Sequence, residues 1–306
     1  MAAAAATTTS ILDIALGAAA PGRAVGAAEQ ILLGLRAAPP DVPTATSEAL
    51  ADAVGPAAIP PAVRSAALAL AAAVERHGAG FPPGREPAYH DRHHQAEATR
   101  AMGWLAGAAR RMGLLDPEQA AVAVTAMVAH DLLHDGQVHA ERGRLERRSA
   151  EAAAQIAAAQ GMTPAQVATL RRIVLATTWP WEEGEAPDLV CRLAREADLF
   201  GSSLPVLGPR LSRLLACELA AAGQPSPEGI ASHAARVGLL RLLPPASAPA
   251  RALGLEAERA AQIAAYAGVA RRLGIDPPTP EAGAAALDAM DHGDAEALLA
   301  WSRPAP

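Results

Sequence analysis

The succession of apolar and polar positions predicts helix after helix. A short run at Ile11–Leu16 and a longer one at Ala24–Arg36 are separated by Pro21-Gly22, and the prolines at 39, 40 and 43 end the second. A further helix runs from Pro60-Pro61 to about His77, with proline in its first turn. The stretch from Gly78 to Gly84 predicts a loop that delivers the chain to Tyr89-His90. Helical patterning resumes from Arg92 to about Met112, ending before Gly113. Asp116-Pro117-Glu118 then opens a helix with an N-cap, a proline at its first position and an early acid. That helix, Ala120 to Val128, is apolar all round, which places it in the middle of a protein with His130, Asp131 and His134 at its end. Helices over 141–160, 164–177 and 187–200 follow, the second stopped by Trp179-Pro180-Trp181. Beyond Gly201 the pattern predicts helices near 208–222, 227–243, 250–272 and 280–301, with Pro244 to Pro249 as a connector.

Composition agrees. Half of the 306 residues are apolar, alanine dominates and only 3% are aromatic, so the expected fold class is all-α. Lysine and asparagine are absent, which excludes Schiff-base and P-loop lysine chemistry. A net charge of −6 with arginines spread along the chain argues against nucleic acid as a partner. Cys191 and Cys217 form no C-x-x-C pair and read as reduced cysteines of a cytoplasmic protein. Met1 to Thr9 carries no positive charge and makes a poor signal peptide, and no apolar run is long enough to predict a membrane span.

Histidine changes the picture. Six of the nine histidines fall between residues 89 and 139. Histidine is the commonest metal ligand and a ready proton carrier near neutral pH. His130 and Asp131 are adjacent, and His134, four residues on, would share a helix face with His130. His90 and His94 are likewise four apart, and Asp198 is a carboxylate flanked by Ala197 and Leu199 in the stretch Leu193–Leu199. Buried polar groups of this kind must be paired or ligated. Two histidines with two carboxylates suit a divalent ion such as zinc, manganese, iron or magnesium.

The order Tyr89-His90-x-x-x-His94, His130-Asp131-x-x-His134-x-Gly136, Leu145-Glu146, Ile173–Thr177 and Ala197-Asp198-Leu199 resembles the HD-domain superfamily. More narrowly, it is similar to the class I cyclic-nucleotide phosphodiesterases and their bacterial relatives. The motifs cover about 110 residues between 89 and 199. The resemblance implies a multi-helix bundle in which His94, His130, Asp131 and Asp198 bind a first metal ion and Asp131 bridges to a second. Hydroxide between the two ions would attack phosphorus. His90 matches the general acid for the leaving oxygen. Glu146 matches the carboxylate that supports it and the attacking water, and His134 would stabilise water or phosphate oxygens.

Three positions depart from that family's pattern. Asp91 stands where asparagine usually follows the acid histidine, Asp135 replaces proline before Gly136, and His139 replaces another asparagine. Gln262 with Tyr266 is a candidate for the glutamine and aromatic pair that reads the nucleotide. The expected organisation is an N-terminal helical segment, residues 1–45, before a catalytic domain over 46–306, with the motif core at 86–201 and C-terminal helices over 202–306. The expected activity is hydrolysis of a small phosphodiester of nucleotide type by a soluble two-metal enzyme. The alternatives are a phosphomonoesterase of the same superfamily and a metal-binding regulatory protein that senses a nucleotide without hydrolysing it.

Overall fold

Asp41 ends the proline-rich turn at Pro39-Pro40 by accepting a hydrogen bond from the Thr44 amide, and a helix begins there. Pro43 was expected to belong to a terminator. It sits instead in that helix's first turn, where a missing N–H costs nothing. This helix is α3 in a computed structural model that describes residues 10–17, 22–55, 59–181 and 187–303. In chain order the helices are α1 (Ile11–Leu16), α2 (Gly22–Ala37), α3 (Val42–Val54), α4 (Pro61–Ala79), α5 (Arg92–Arg111), α6 (Pro117–Val128), α7 (Arg144–Ala159) and α8 (Pro164–Ala176). They continue with α9 (Leu189–Asp198), α10 (Phe200–Ser203), α11 (Leu207–Ala221), α12 (His233–Leu242), α13 (Ala248–Leu253), α14 (Leu255–Arg272), α15 (Pro280–Asp288) and α16 (His292–Trp301). A 3-10 turn, Pro227–Ala231, precedes α12, and no strand occurs among the described residues. The fold is all-α, and Met1–Thr9 lies outside the described residues.

The centre of the molecule is α5, buried without a break from His94 to Ala109. It packs on α3, α6 and α9. With few large side chains available, contact is gained by bringing backbones together. A Cβ on Gly103 would lie 2.7 Å from the Ala49 Cα, and one on Gly107 2.6 Å from the Asp52 carbonyl oxygen. Trp104 and Phe200 fill the remaining space with ring centroids 5.8 Å apart. The apolar α6 is fully buried from Ala120 to Val128, as its pattern predicts.

Residues of α1 and α2, among them Leu12 and Leu32, belong to the same core cluster as Leu50 and Leu105. A smaller cluster at the C-terminal end joins Val237, Tyr266, Val269, Ala284 and Leu287. The long helices expected over 227–243, 250–272 and 280–301 are each interrupted. Gly254, at φ 93°, divides α13 from α14 in a left-handed conformation that glycine accommodates without strain. Asp291 stands as the N-cap of α16, separating it from α15. No helix among the described residues is long and apolar enough to cross a membrane.

Candidate metal centre

Helix α5 begins one turn before His94. Asp91 is its N-cap, accepting the His94 amide at 2.8 Å, so aspartate here fills the capping role that asparagine could fill. Arg36 of α2 holds the same end in place through a two-pronged pair with Glu97, at 2.7 and 3.0 Å. His90 therefore lies before the helix, not on it, yet its ring centroid is 5.7 Å from that of His94.

The His-Asp pair does not lie on a helix as expected. Helix α6 ends at Val128, and residues 129–133 are turns in which the His130 amide and the Leu132 amide bond to carbonyls three residues back. This tighter winding removes the shared face that a four-residue spacing would create. His130 and His134 consequently enter two different groups.

The first group joins His94, His130, Asp131 and Asp198, whose donor atoms all lie within 4.8 Å of one another. His94 Nε2 stands 3.2 Å from His130 Nε2, 3.2 Å from Asp198 Oδ1 and 3.5 Å from Asp131 Oδ2. His130 Nε2 stands 3.2 Å from Asp131 Oδ2 and 3.4 Å from Asp198 Oδ1. Bonds of about 2.0–2.2 Å at angles between octahedral and tetrahedral put neighbouring ligands roughly 3.0–3.5 Å apart, so the four atoms fit one divalent ion. The His130 tautomer fits as well. Its Nδ1–H donates to the Met127 carbonyl at 2.9 Å, which leaves the Nε2 lone pair facing the group.

The electrostatics are those of two carboxylates answering two buried imidazoles. Burial alone would lower the His94 imidazole, but hydrogen bonds to Asp131 and Asp198 outweigh it and lift it to about 9. His130 is raised for the same reasons, with the charge of Asp131 foremost after burial. Burial would raise Asp198, but its bonds to His130 and His94 hold it down to about 2. Such a site strongly favours a positive charge at its centre.

The second group joins His90, His134 and Glu218. Glu218 Oε1 accepts from His90 Nδ1 at 2.6 Å, while Oε2 accepts the amides of Tyr89 and His90 at 2.8 and 3.0 Å. With Nδ1 bound to the carboxylate, Nε2 is the atom of His90 left for other partners. His134 stacks on His90 with centroids 3.7 Å apart, and the Gly136 amide donates to its Nδ1 at 3.2 Å. His134 is thereby fixed as the neutral Nε2–H tautomer. Burial, and then the charge of His90, push its pKa down to about 4. Burial would raise Glu218, but the bond to His90 and its charge bring it down to about 2.

The carboxylate on His90 is therefore Glu218, where Glu146 was expected. Glu146 lies in the first turn of α7, half-buried, and burial followed by the nearby charges of Asp131 and Asp198 raises its pKa. It faces the first group without belonging to it. Glu218 has a faint signature in the chain, a single acid inside the apolar run Leu214-Leu215-Ala216-Cys217-Glu218-Leu219-Ala220.

His93, His139 and His77 have structural partners. Both nitrogens of His93 are engaged, by Asp91 at 3.1 Å and the Ala38 carbonyl at 2.9 Å, and the ring points away from the centre. His139 pairs with Asp135 at 3.0 Å, so two departures from the family pattern satisfy each other. His77 donates to the His134 carbonyl at 3.0 Å. Gln262 is buried, its oxygen accepting from Arg236 at 2.6 Å and its nitrogen donating to the Ser203 carbonyl at 2.9 Å. Both ends of its amide are used inside the protein. Trp179 and Trp181 pack edge to face and line a cavity of about 760 Å³ with Arg195, Leu199 and Arg251. That cavity opens one residue beyond Asp198, and none of the seven candidate site residues forms its wall.

Comparison with protein-family models, with curated proteins and with solved structures finds no match to this chain.

Proposed function

We propose that this protein is a metal-dependent phosphohydrolase whose substrate is a small phosphodiester of nucleotide type. The observation that carries the reading is the adjacency of the two groups. A ligand set sized for a divalent ion lies beside a histidine that is backed by a buried carboxylate. His94, His130, Asp131 and Asp198 would hold the first ion, and Asp131, through its other oxygen, would reach a second. Divalent ions at such a site supply Lewis acidity and a source of hydroxide near neutral pH.

His90 would deliver a proton from Nε2 to the leaving oxygen. Glu218 supports that task by holding Nδ1–H and by stabilising the charged imidazole before the proton leaves. His134, held neutral, can offer an Nε2–H to a phosphate oxygen without adding a positive charge beside His90. Glu146 would orient water, since its carboxylate bonds to no other side chain among the described residues.

A monoester substrate is the second reading, because Gln262 lacks the free amide that a cyclic-nucleotide diesterase would use. The residue matched to nucleotide recognition is committed to Arg236 and Ser203, so it is not free to read a base. Elemental analysis of the purified protein, followed by a panel of cyclic nucleotides, bis(p-nitrophenyl) phosphate and nucleoside monophosphates with added manganese or zinc, separates the readings. Diester hydrolysis supports the first. Hydrolysis of monoesters alone supports the second. Metal-loaded protein that binds nucleotides and hydrolyses none of the panel would overturn both in favour of a sensor.

A further inference from the structure

Four arginines converge on a second cavity that lies apart from both histidine groups. It measures about 660 Å³, a size that suits a small-molecule ligand, and its wall includes Arg210, Arg213, Arg236, Arg303, His233 and His292. The arginines come from three separate places in the chain. Arg210 and Arg213 are three residues apart on α11 and so share a face, Arg236 comes from α12, and Arg303 follows α16. Among the described lining residues Glu296 is the one acid, leaving an excess of three positive charges in a protein whose net charge is −6.

None of the four is paired with a carboxylate among the described residues. Arg236 is 6% exposed and donates to the Ser202 and Leu204 carbonyls and to Gln262 Oε1, all neutral acceptors. Its guanidinium lies over the first turn of α11, where a Cβ on Gly208 would overlap it. Glu29 and Glu258 act on it without contacting it. Glu29 is itself used at the start of α11, accepting the Val206 and Leu207 amides. Arg303 has a long bond of 3.4 Å to the Pro205 carbonyl. Arg210 and Arg213 are exposed and have no hydrogen-bond or ion-pair partner among the described residues. Burying one cation in contact with neutral acceptors alone and gathering three more around it costs folding free energy that a bound anion would offset. At the back of the cavity the Tyr266 hydroxyl meets His233 Nδ1 at 3.2 Å, adding further polar groups.

We infer that this cavity binds a small anion carrying two or more phosphoryl groups, held by Arg210, Arg213 and Arg303 against the buried charge of Arg236. Arginine matches phosphate because its planar fork donates two parallel hydrogen bonds. Several guanidiniums on one wall suit a chain of phosphoryl groups better than a single ion. The inference is independent of the proposed hydrolytic activity.

The test is calorimetric titration of the full chain, freed of metal by chelation, with tripolyphosphate, pyrophosphate and sulfate at physiological ionic strength. Tripolyphosphate is expected to bind at one site per chain, more tightly than pyrophosphate, with sulfate weakest. The double variant Arg210→Ala/Arg213→Ala removes two exposed side chains and should fold normally, as circular dichroism can verify. It should weaken tripolyphosphate binding by roughly a hundredfold, since each charge-assisted contact is worth about a factor of ten. Asp131→Asn should leave the binding unchanged. The inference is overturned by no binding of tripolyphosphate, by equal binding in the double variant, or by loss of binding in Asp131→Asn. An equal loss in the control variant Arg171→Ala/Arg241→Ala would also overturn it, because diffuse positive charge would then account for the effect.

Discussion

His90 and Glu218 are 128 residues apart in the chain and 2.6 Å apart in space. The carboxylate also takes the two backbone amides at Tyr89 and His90, so it fixes the backbone as well as the ring of the proposed acid. Glu218→Gln keeps the shape but replaces an anion with an amide that can donate in the wrong direction. Turnover is expected to fall by about 10²-fold or more, with metal content unchanged. The alkaline limb of the pH–rate profile, where a general acid loses its proton, should move to lower pH as well, which a purely structural role for Glu218 would not require. Normal turnover in this variant would remove Glu218 from the proton pathway.

The four proposed ligands make a different prediction. Asp131→Ala or Asp198→Ala takes one carboxylate from a group whose other members are two imidazoles and one remaining acid. Metal affinity should drop by more than the roughly 10–100-fold typical of losing an outer-shell partner. Equilibrium dialysis with zinc or manganese reads this directly. Unchanged stoichiometry in both variants would show that the ion, if any, is held elsewhere.

The sequence made the helical class and the four clustered residues legible for clear physical reasons. Asp198 stands out because Ala197-Asp198-Leu199 completes the ordered motifs, and His130-Asp131 because it follows the fully apolar α6. The same logic applies to Glu218, but no spacing rule connects a residue in α11 to a histidine before α5. Only the folded chain supplies that link. Central burial of α5 was hidden for the opposite reason. Gln95, Glu97, Thr99 and Arg100 are polar types that give no sign of burial in the sequence, yet all four are buried, Glu97 against Arg36 and Arg100 against Asp52. The short elements around Pro43 and Gly254 depart from the expected bounds because a residue that commonly stops a helix begins one there, and Asp291 caps a new helix inside what the pattern reads as one.

Close approach of α3 and α5 predicts the cost of a methyl group. A Cβ on Gly103 would stand 2.7 Å from Ala49 Cα and 2.8 Å from the Ala49 carbonyl oxygen, both backbone atoms that cannot turn aside. Alanine is the better helix former by about 1 kcal/mol, so propensity alone would favour Gly103→Ala. Overpacking a tight interface typically costs about 1–3 kcal/mol, and here it should win. Urea denaturation should show a lower midpoint for Gly103→Ala, while Gly26→Ala, where a Cβ meets nothing within 4 Å, should be neutral or stabilising.

His134 makes the metal-free protein sensitive to mild acid. Its folded pKa is depressed to about 4 by burial and by His90, below the 6.5 of a free imidazole. Between those values the unfolded chain binds a proton at this site and the folded chain does not. Unfolding therefore takes up protons, and stability falls as pH drops from 6.5 towards 4. The contribution is at most about 3 kcal/mol. His134→Gln removes the titration while keeping a polar side chain of similar reach. Urea midpoints of the chelated proteins between pH 4.5 and 7 should fall with acid less steeply in the variant than in the parent. Parallel pH profiles would mean that His134 protonates as easily in the folded protein as in solution.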